Sequence, residues 1–157
     1  MKIAARRWAE IDLSANNLTR SIPEWLGSFD INYLNLSHNS LSSEIPTTFK
    51  SFRNLYHLDL HSNRSSGSIA SVFQITHPFD GRLESLDLSD NSFSGGIKDI
   101  GTGKQVNIQR VNLSHNQLQG TMPESAGNLT KLSALDLSYN QFNSVLPETL
   151  AKIENFR

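Results

Sequence analysis

The chain has 157 residues, a formal net charge of -1 and 18% charged residues. That is long enough for one domain with a real core, and it gives no electrostatic reason to expect nucleic acid or an anionic membrane as partner. The absence of cysteine excludes a disulfide framework and every thiolate site. No apolar run reaches the length of about 18 residues needed to span a bilayer. Met1 to Arg7 is basic like the start of a signal peptide, but Trp8-Ala9-Glu10-Ile11-Asp12 follows where a continuous apolar segment would have to be. No secretion signal and no membrane insertion are therefore expected of this chain.

One pattern, seen most clearly in Val111 to Pro123, recurs along the sequence with an asparagine at the same place: Asn16, Asn39, Asn63, Asn91, Asn116 and Asn140. Their spacings are 23, 24, 28, 25 and 24 residues, and a period in the twenties means a solenoid. Repeats begin near Trp8, Ile31, Leu55, Leu83, Ile108 and Leu132 in a single solenoid spanning 1–157, and Phe156 falls where a seventh would start. The chain therefore reads as an excerpt of a longer array. In each unit x-L-x-L-x alternates apolar and polar, the signature of a short strand with one buried face. The asparagine follows where the chain turns, and its amide offers both donors and an acceptor to backbone groups inside the turn. A second extended segment ends at proline in most repeats. Apolar pairs such as Leu26 with Phe29 and Phe49 with Phe52 then suit a 3₁₀ turn.

The first repeat opens on Trp8 in place of leucine, carries Arg20 where glycine is usual, and puts Trp25 on the convex side, partly exposed. In the third, Ser65 occupies a leucine position and Ala70 a proline position, so the weakest packing is expected there. The same repeat holds a four-residue insertion around Ile75 to Gly81, including His77, read as a surface loop. In the fourth, Gly101-Thr102-Gly103-Lys104 suggests a phosphate loop, but Lys98 and Gln105 stand where the pattern needs glycine and a hydroxyl.

Six copies of L-x-x-L-x-L-x-x-N-x-L-x-G-x-I-P resemble the plant-type leucine-rich repeat over residues 8 to 157. The resemblance implies an α/β repeat solenoid, right-handed, with a concave parallel sheet, second short strands and 3₁₀ turns on the convex side. It also implies a continuous ladder built by the six asparagines. Secreted members usually close both ends with cysteine-paired caps. Without cysteine, the uncapped ends are expected to favour self-association.

The polar strand positions project from the concave face. Asp12, Asn35, Asp59, Asp87, Asn112 and Asp136 repeat the family's Asp or Asn column and are read as scaffold, as are the serines after the second leucine. Specificity is expected in two variable columns, Glu10, Tyr33, His57, Ser85, Arg110, Ala134 and Ala15, His38, Ser62, Asp90, His115, Tyr139. The expected partner contacts are Tyr33, His38, Tyr56, His57, His61, Asp90, Arg110, His115 and Tyr139, rings and charges that a protein or peptide can anchor on. Four histidines there would make binding depend on pH between about 5 and 7. Asp59 and Asp87, about 4.8 Å apart on neighbouring strands, approach the spacing of a retaining glycosidase, yet an open face holds no sugar. His57 and His61 are about 13 Å apart along one strand, too far to share an ion. No metal, cofactor or catalytic residue is expected. Asn17 and Asn128 are the expected glycosylation acceptors, with Asn63 inaccessible as a ladder residue.

The resemblance points to a non-catalytic recognition module from the ectodomain of a plant receptor-like kinase or receptor-like protein. The full-length protein would then be extracellular or at the cell surface, with a protein or peptide ligand or a co-receptor as partner. The alternatives are an inhibitor of cell-wall hydrolases similar to polygalacturonase-inhibiting proteins, or a purely structural, truncated solenoid.

Overall fold

The alternating segment forms one strand in every repeat, and the strands stack in sequence order. A computed structural model describes residues 10–75, 82–102, 107–143 and 145–153. The repeat start at Trp8, the inserted loop at His77, the Gly103-Lys104 pair and the expected seventh start at Phe156 lie outside them. Strands β1 (Glu10–Asp12), β3 (Tyr33–Asn35), β5 (His57–Asp59), β7 (Ser85–Asp87), β9 (Arg110–Asn112) and β11 (Ala134–Asp136) form one parallel six-stranded sheet in that order. The register places Leu34 beside Leu58, Leu58 beside Leu86 and Leu86 beside Val111. These residues, with Leu36, Leu60, Leu88 and Leu113, are buried in a continuous core. Burying each such side chain stabilises the stack by about 1.5 to 3 kcal/mol.

The second extended segments form a two-stranded sheet, β2 (Thr19–Arg20) with β4 (Ser40–Leu41), and a four-stranded one. The latter orders β6 (Ser66–Gly67), β8 (Ser92–Gly95), β10 (Gln117–Gly120) and β12 (Gln141–Phe142). After Pro23, Pro46, Pro123 and Pro147 come 3₁₀ turns at Glu24–Ser28, Thr47–Ser51, Glu124–Asn128 and Glu148–Lys152. Adjacent turns approach closely: a Cβ on Gly27 would stand 2.5 Å from the Thr48 carbonyl oxygen, and one on Gly127 would stand 2.5 Å from that of Thr149. Trp25 is 60% exposed on this side, its ring edge-on to Phe29 at 5.5 Å.

The third repeat departs from the expected 3₁₀ turn and carries one turn of α-helix, α1 (Ala70–Phe73). The reason lies in Ala70. A proline there would push the preceding residue into extended backbone. Ile69 instead adopts φ -92 and ψ 5, and the helix begins one position earlier. Ser65 is 1% exposed and its hydroxyl has no hydrogen-bond partner. At the first repeat, Leu13 and Leu18 are exposed while the equivalent Leu36 and Leu41 are buried. There Ile11, Leu13, Leu18, Ile22, Trp25 and Phe29 help line an apolar cavity of about 540 Å³.

Candidate functional site: the concave face

Three repeating devices end each concave strand. The Asp or Asn at its last position accepts, through Oδ1, the backbone N–H two residues on. These donors are Ser14, Ser37, His61, Ser89, Ser114 and Ser138, at 2.9 to 3.1 Å. Only an oxygen is required, so Asp and Asn alternate freely in this column. At Asp12 and Asp136 the bonds from the Ser14 and Ser138 side chains, then their backbone N–H groups, hold the carboxyl below its ordinary value.

Next, the residue before each ladder asparagine takes left-handed backbone. Ala15, His38, Ser62, Asp90, His115 and Tyr139 have φ between 50 and 58. Left-handed backbone costs an L-residue roughly 1 to 2 kcal/mol, and here the turn repeats it six times. His38, Ser62, Asp90 and His115 each donate a backbone N–H to the next repeat, so this conformation is held by the stack.

Finally, each asparagine from Asn39 onward serves two repeats. Asn116 Oδ1 accepts the Phe93 N–H at 2.9 Å, and its amide donates to the Leu88, Leu113 and Ser114 carbonyls. Asn39, Asn63, Asn91 and Asn140 make the equivalent set, their Oδ1 atoms accepting from Leu18, Leu41, Ser65 and Leu118. Asn16 donates to Leu13 and Ser14 within its own repeat.

On this frame the rings pair across neighbouring repeats. His57 stacks on Tyr33 with centroids 4.4 Å apart and planes 6° apart, and Tyr56 lies 6.3 Å from Tyr33. Tyr56 also borders a polar groove of about 340 Å³ with Asn32, Asn54, Arg82, Glu84 and Asn107. At the other end His115 stacks on Tyr139 at 4.1 Å and 14°, and Tyr139 is 75% exposed. Exposed Arg110 stands on β9, in the same repeat as His115, while Asp90 accepts the Ser62 hydroxyl at 3.1 Å. His61 belongs to a different group: its Nδ1 is 2.7 Å from Asp59 Oδ1 and its Nε2 is 2.9 Å from His38 Nε2. His57 and His61 thus serve separate clusters. The His38–His61 contact escapes a column-by-column reading because the two residues occupy different columns. The available signal is that His61 stands where the other five repeats have serine. Among the glycosylation candidates, Asn17 is exposed, the Asn128 amide donates to the Gly101 carbonyl at 3.1 Å, and the Asn63 amide is bonded to three carbonyls.

A curved parallel sheet with one strand, one ladder asparagine and one convex turn per unit defines a leucine-rich-repeat solenoid. Leucine rich repeat models match residues 106–157 and residues 9–29, 30–52 and 82–102, and the chain belongs to the leucine-rich repeat family. It is similar to Receptor-like protein EIX2 of Solanum lycopersicum, 35% identical over 125 residues that make up 78% of this chain and 12% of that protein. It is also similar to Phytosulfokine receptor 1 of Arabidopsis thaliana, 32% identical over 148 residues, 81% of this chain and 15% of that protein. Among solved structures, the plant peptide hormone receptor RGFR1 in complex with RGF2 matches with a TM-score of 0.88 and 30% identity, covering 95% of this chain and 23% of that one. The chain therefore spans a small part of the relatives it matches. Among the described residues no helix is long and apolar enough to cross a membrane.

Proposed function

We propose that this chain is a segment of the extracellular recognition domain of a plant receptor-like protein or receptor-like kinase. Its concave face holds a protein or peptide ligand without chemistry of its own. The observation that carries the reading is the pair of ring stacks, Tyr33 with His57 and His115 with Tyr139, set at two points of one rigid sheet. Rings already stacked on a neighbour lose little side-chain freedom when a ligand packs on them, which makes them good anchors. The receptor relatives, and the peptide hormone receptor RGFR1 solved in complex with RGF2, support the same reading.

The test is selection of peptides from a displayed random library on the 157-residue chain, followed by affinity measurement on variants. Tyr33→Ala and Tyr139→Ala are each expected to weaken the selected peptides by about 30-fold, a loss of about 2 kcal/mol. Trp25→Ala, on the convex side, should leave affinity unchanged. Peptides that lose affinity only with Trp25→Ala would overturn the assignment of the face. Inhibition of a fungal polygalacturonase by the chain, with no peptide selected, would favour the hydrolase-inhibitor reading instead.

A further inference from the structure

The contact between His38 and His61 belongs to neither ring stack. Their Nε2 atoms are 2.9 Å apart, with centroids 4.4 Å apart and planes at 79°. Two imidazoles meeting head-on through one N–H···N bond would hold their centroids about 5 Å apart, so these rings converge at an angle. Two imidazole nitrogens bound to one ion at about 2.0 to 2.1 Å stand about 2.9 to 3.4 Å from each other. The observed separation lies in that range.

The other nitrogen of His61 is already engaged. Asp59 Oδ1 sits 2.7 Å from Nδ1 and also accepts the His61 backbone N–H at 2.9 Å. A carboxylate in that position keeps the proton on Nδ1 and leaves the Nε2 lone pair free, the arrangement that orients and strengthens histidine ligands in metal centres. A second carboxylate, Asp87 on the next strand, brings an oxygen within 4.8 Å of the ligand atoms of His61 and Asp59. Its oxygens are bonded by Ser89 and Asn112, so it contributes negative charge to the cluster while those bonds hold. No such group was expected from the strand alone, because its members come from three consecutive repeats.

We propose that His38 and His61 chelate one divalent transition-metal ion through their Nε2 atoms, with Asp59 orienting His61 from behind. Imidazole donors select copper(II), nickel(II) or zinc over calcium and magnesium, which prefer oxygen. Two protein ligands leave the remaining positions to water or to a side chain laid on the concave face. Ion binding itself needs no peptide, so the inference stands apart from the reading of the face as a ligand site.

The experiment is calorimetric titration of the tag-free 157-residue chain with copper(II), nickel(II), zinc and calcium chlorides, with histidine ring resonances followed by NMR during the zinc titration. One ion per chain is expected, tightest for copper, with no response to calcium. Zinc should shift the ring signals of His38 and His61 before those of His57 or His115. His38→Gln, at an exposed position that should leave the circular dichroism unchanged, is expected to abolish saturable binding. Asp59→Asn, which keeps an oxygen for the turn as Asn35 and Asn112 do, should weaken binding about 10-fold or more. His115→Gln should change nothing. The proposal is overturned if no transition metal saturates the chain, if His38→Gln binds zinc like the unaltered protein, or if zinc shifts His57 or His115 first.

Discussion

Asn116→Leu tests the ladder at its most enclosed member. Asn116 is 9% exposed, and leucine keeps its branched four-atom skeleton while removing every hydrogen bond of the amide, at the cost of somewhat greater bulk. Three carbonyls lose a donor, but each keeps another. Leu113 O still accepts from Asn140, Ser114 O from the Asp90 N–H, and Leu88 O from Asn91 at 3.3 Å. The Phe93 N–H, by contrast, loses its acceptor inside the core, where Phe93 is fully buried. An orphaned buried N–H costs about 1 to 3 kcal/mol. With one carbonyl left on a long bond, the expected loss is about 2 to 4 kcal/mol, a large share of the roughly 5 to 15 kcal/mol that stabilises a domain. Asn16→Leu is the control, since Asn16 is exposed and accepts no N–H from another repeat among the described residues. It should cost less than about 1 kcal/mol. Urea unfolding followed by circular dichroism reads both. The reasoning fails if Asn116→Leu loses under about 1 kcal/mol, or if Asn16→Leu loses as much as Asn116→Leu.

Arg20 has φ 69 where Gly67, Gly95 and Gly120 hold the same turn at φ 78 to 88, so Arg20→Gly should raise stability by about 0.5 to 1 kcal/mol, read as a higher Tm. Ser65→Ala removes a buried hydroxyl without a partner and should stabilise by about 1 kcal/mol in the same assay, whereas a loss would mean that the hydroxyl is satisfied. The folded value of Asp136 is lowered, so its contribution is present above the unfolded carboxyl range near pH 4 and is lost as pH falls through the folded value. Asp136→Asn should therefore flatten the acid side of the stability profile below about pH 4 and change stability at pH 7 by no more than about 0.5 kcal/mol, because the group is largely exposed.

What sequence reading recovers depends on whether a position repeats in side chain or only in backbone. The six strands and their turns follow from leucine and asparagine spacing, because burial and amide chemistry constrain residue type. The left-handed column does not, since Ala15, His38, Ser62, Asp90, His115 and Tyr139 share no chemistry. Its one trace is the lack of any β-branched residue there. Reading Ala70 only as a missing proline overlooks that it releases Ile69 from extended backbone and lets α1 form. Tyr33 and His57 fall on the concave face because strand alternation places them there, and their stacking then needs only the parallel register, whereas His115 and Tyr139 lie beyond their strands in the left-handed column. His38 and His61 meet across unlike columns, which spacing along one strand cannot express.

The ladder also gives the solenoid a direction. From Asn39 onward each asparagine reaches back: it accepts an N–H and donates to a carbonyl of the repeat before it. Cutting away the first repeat leaves the Asn39 amide with two acceptors of its own, Leu36 and Ser37. Cutting away the sixth takes the Asn140 oxygen from the Leu118 N–H. Loss of a unit is thus unequal in what it leaves behind: an asparagine oxygen without its donor at the N-terminal end, a backbone N–H without its acceptor at the C-terminal end.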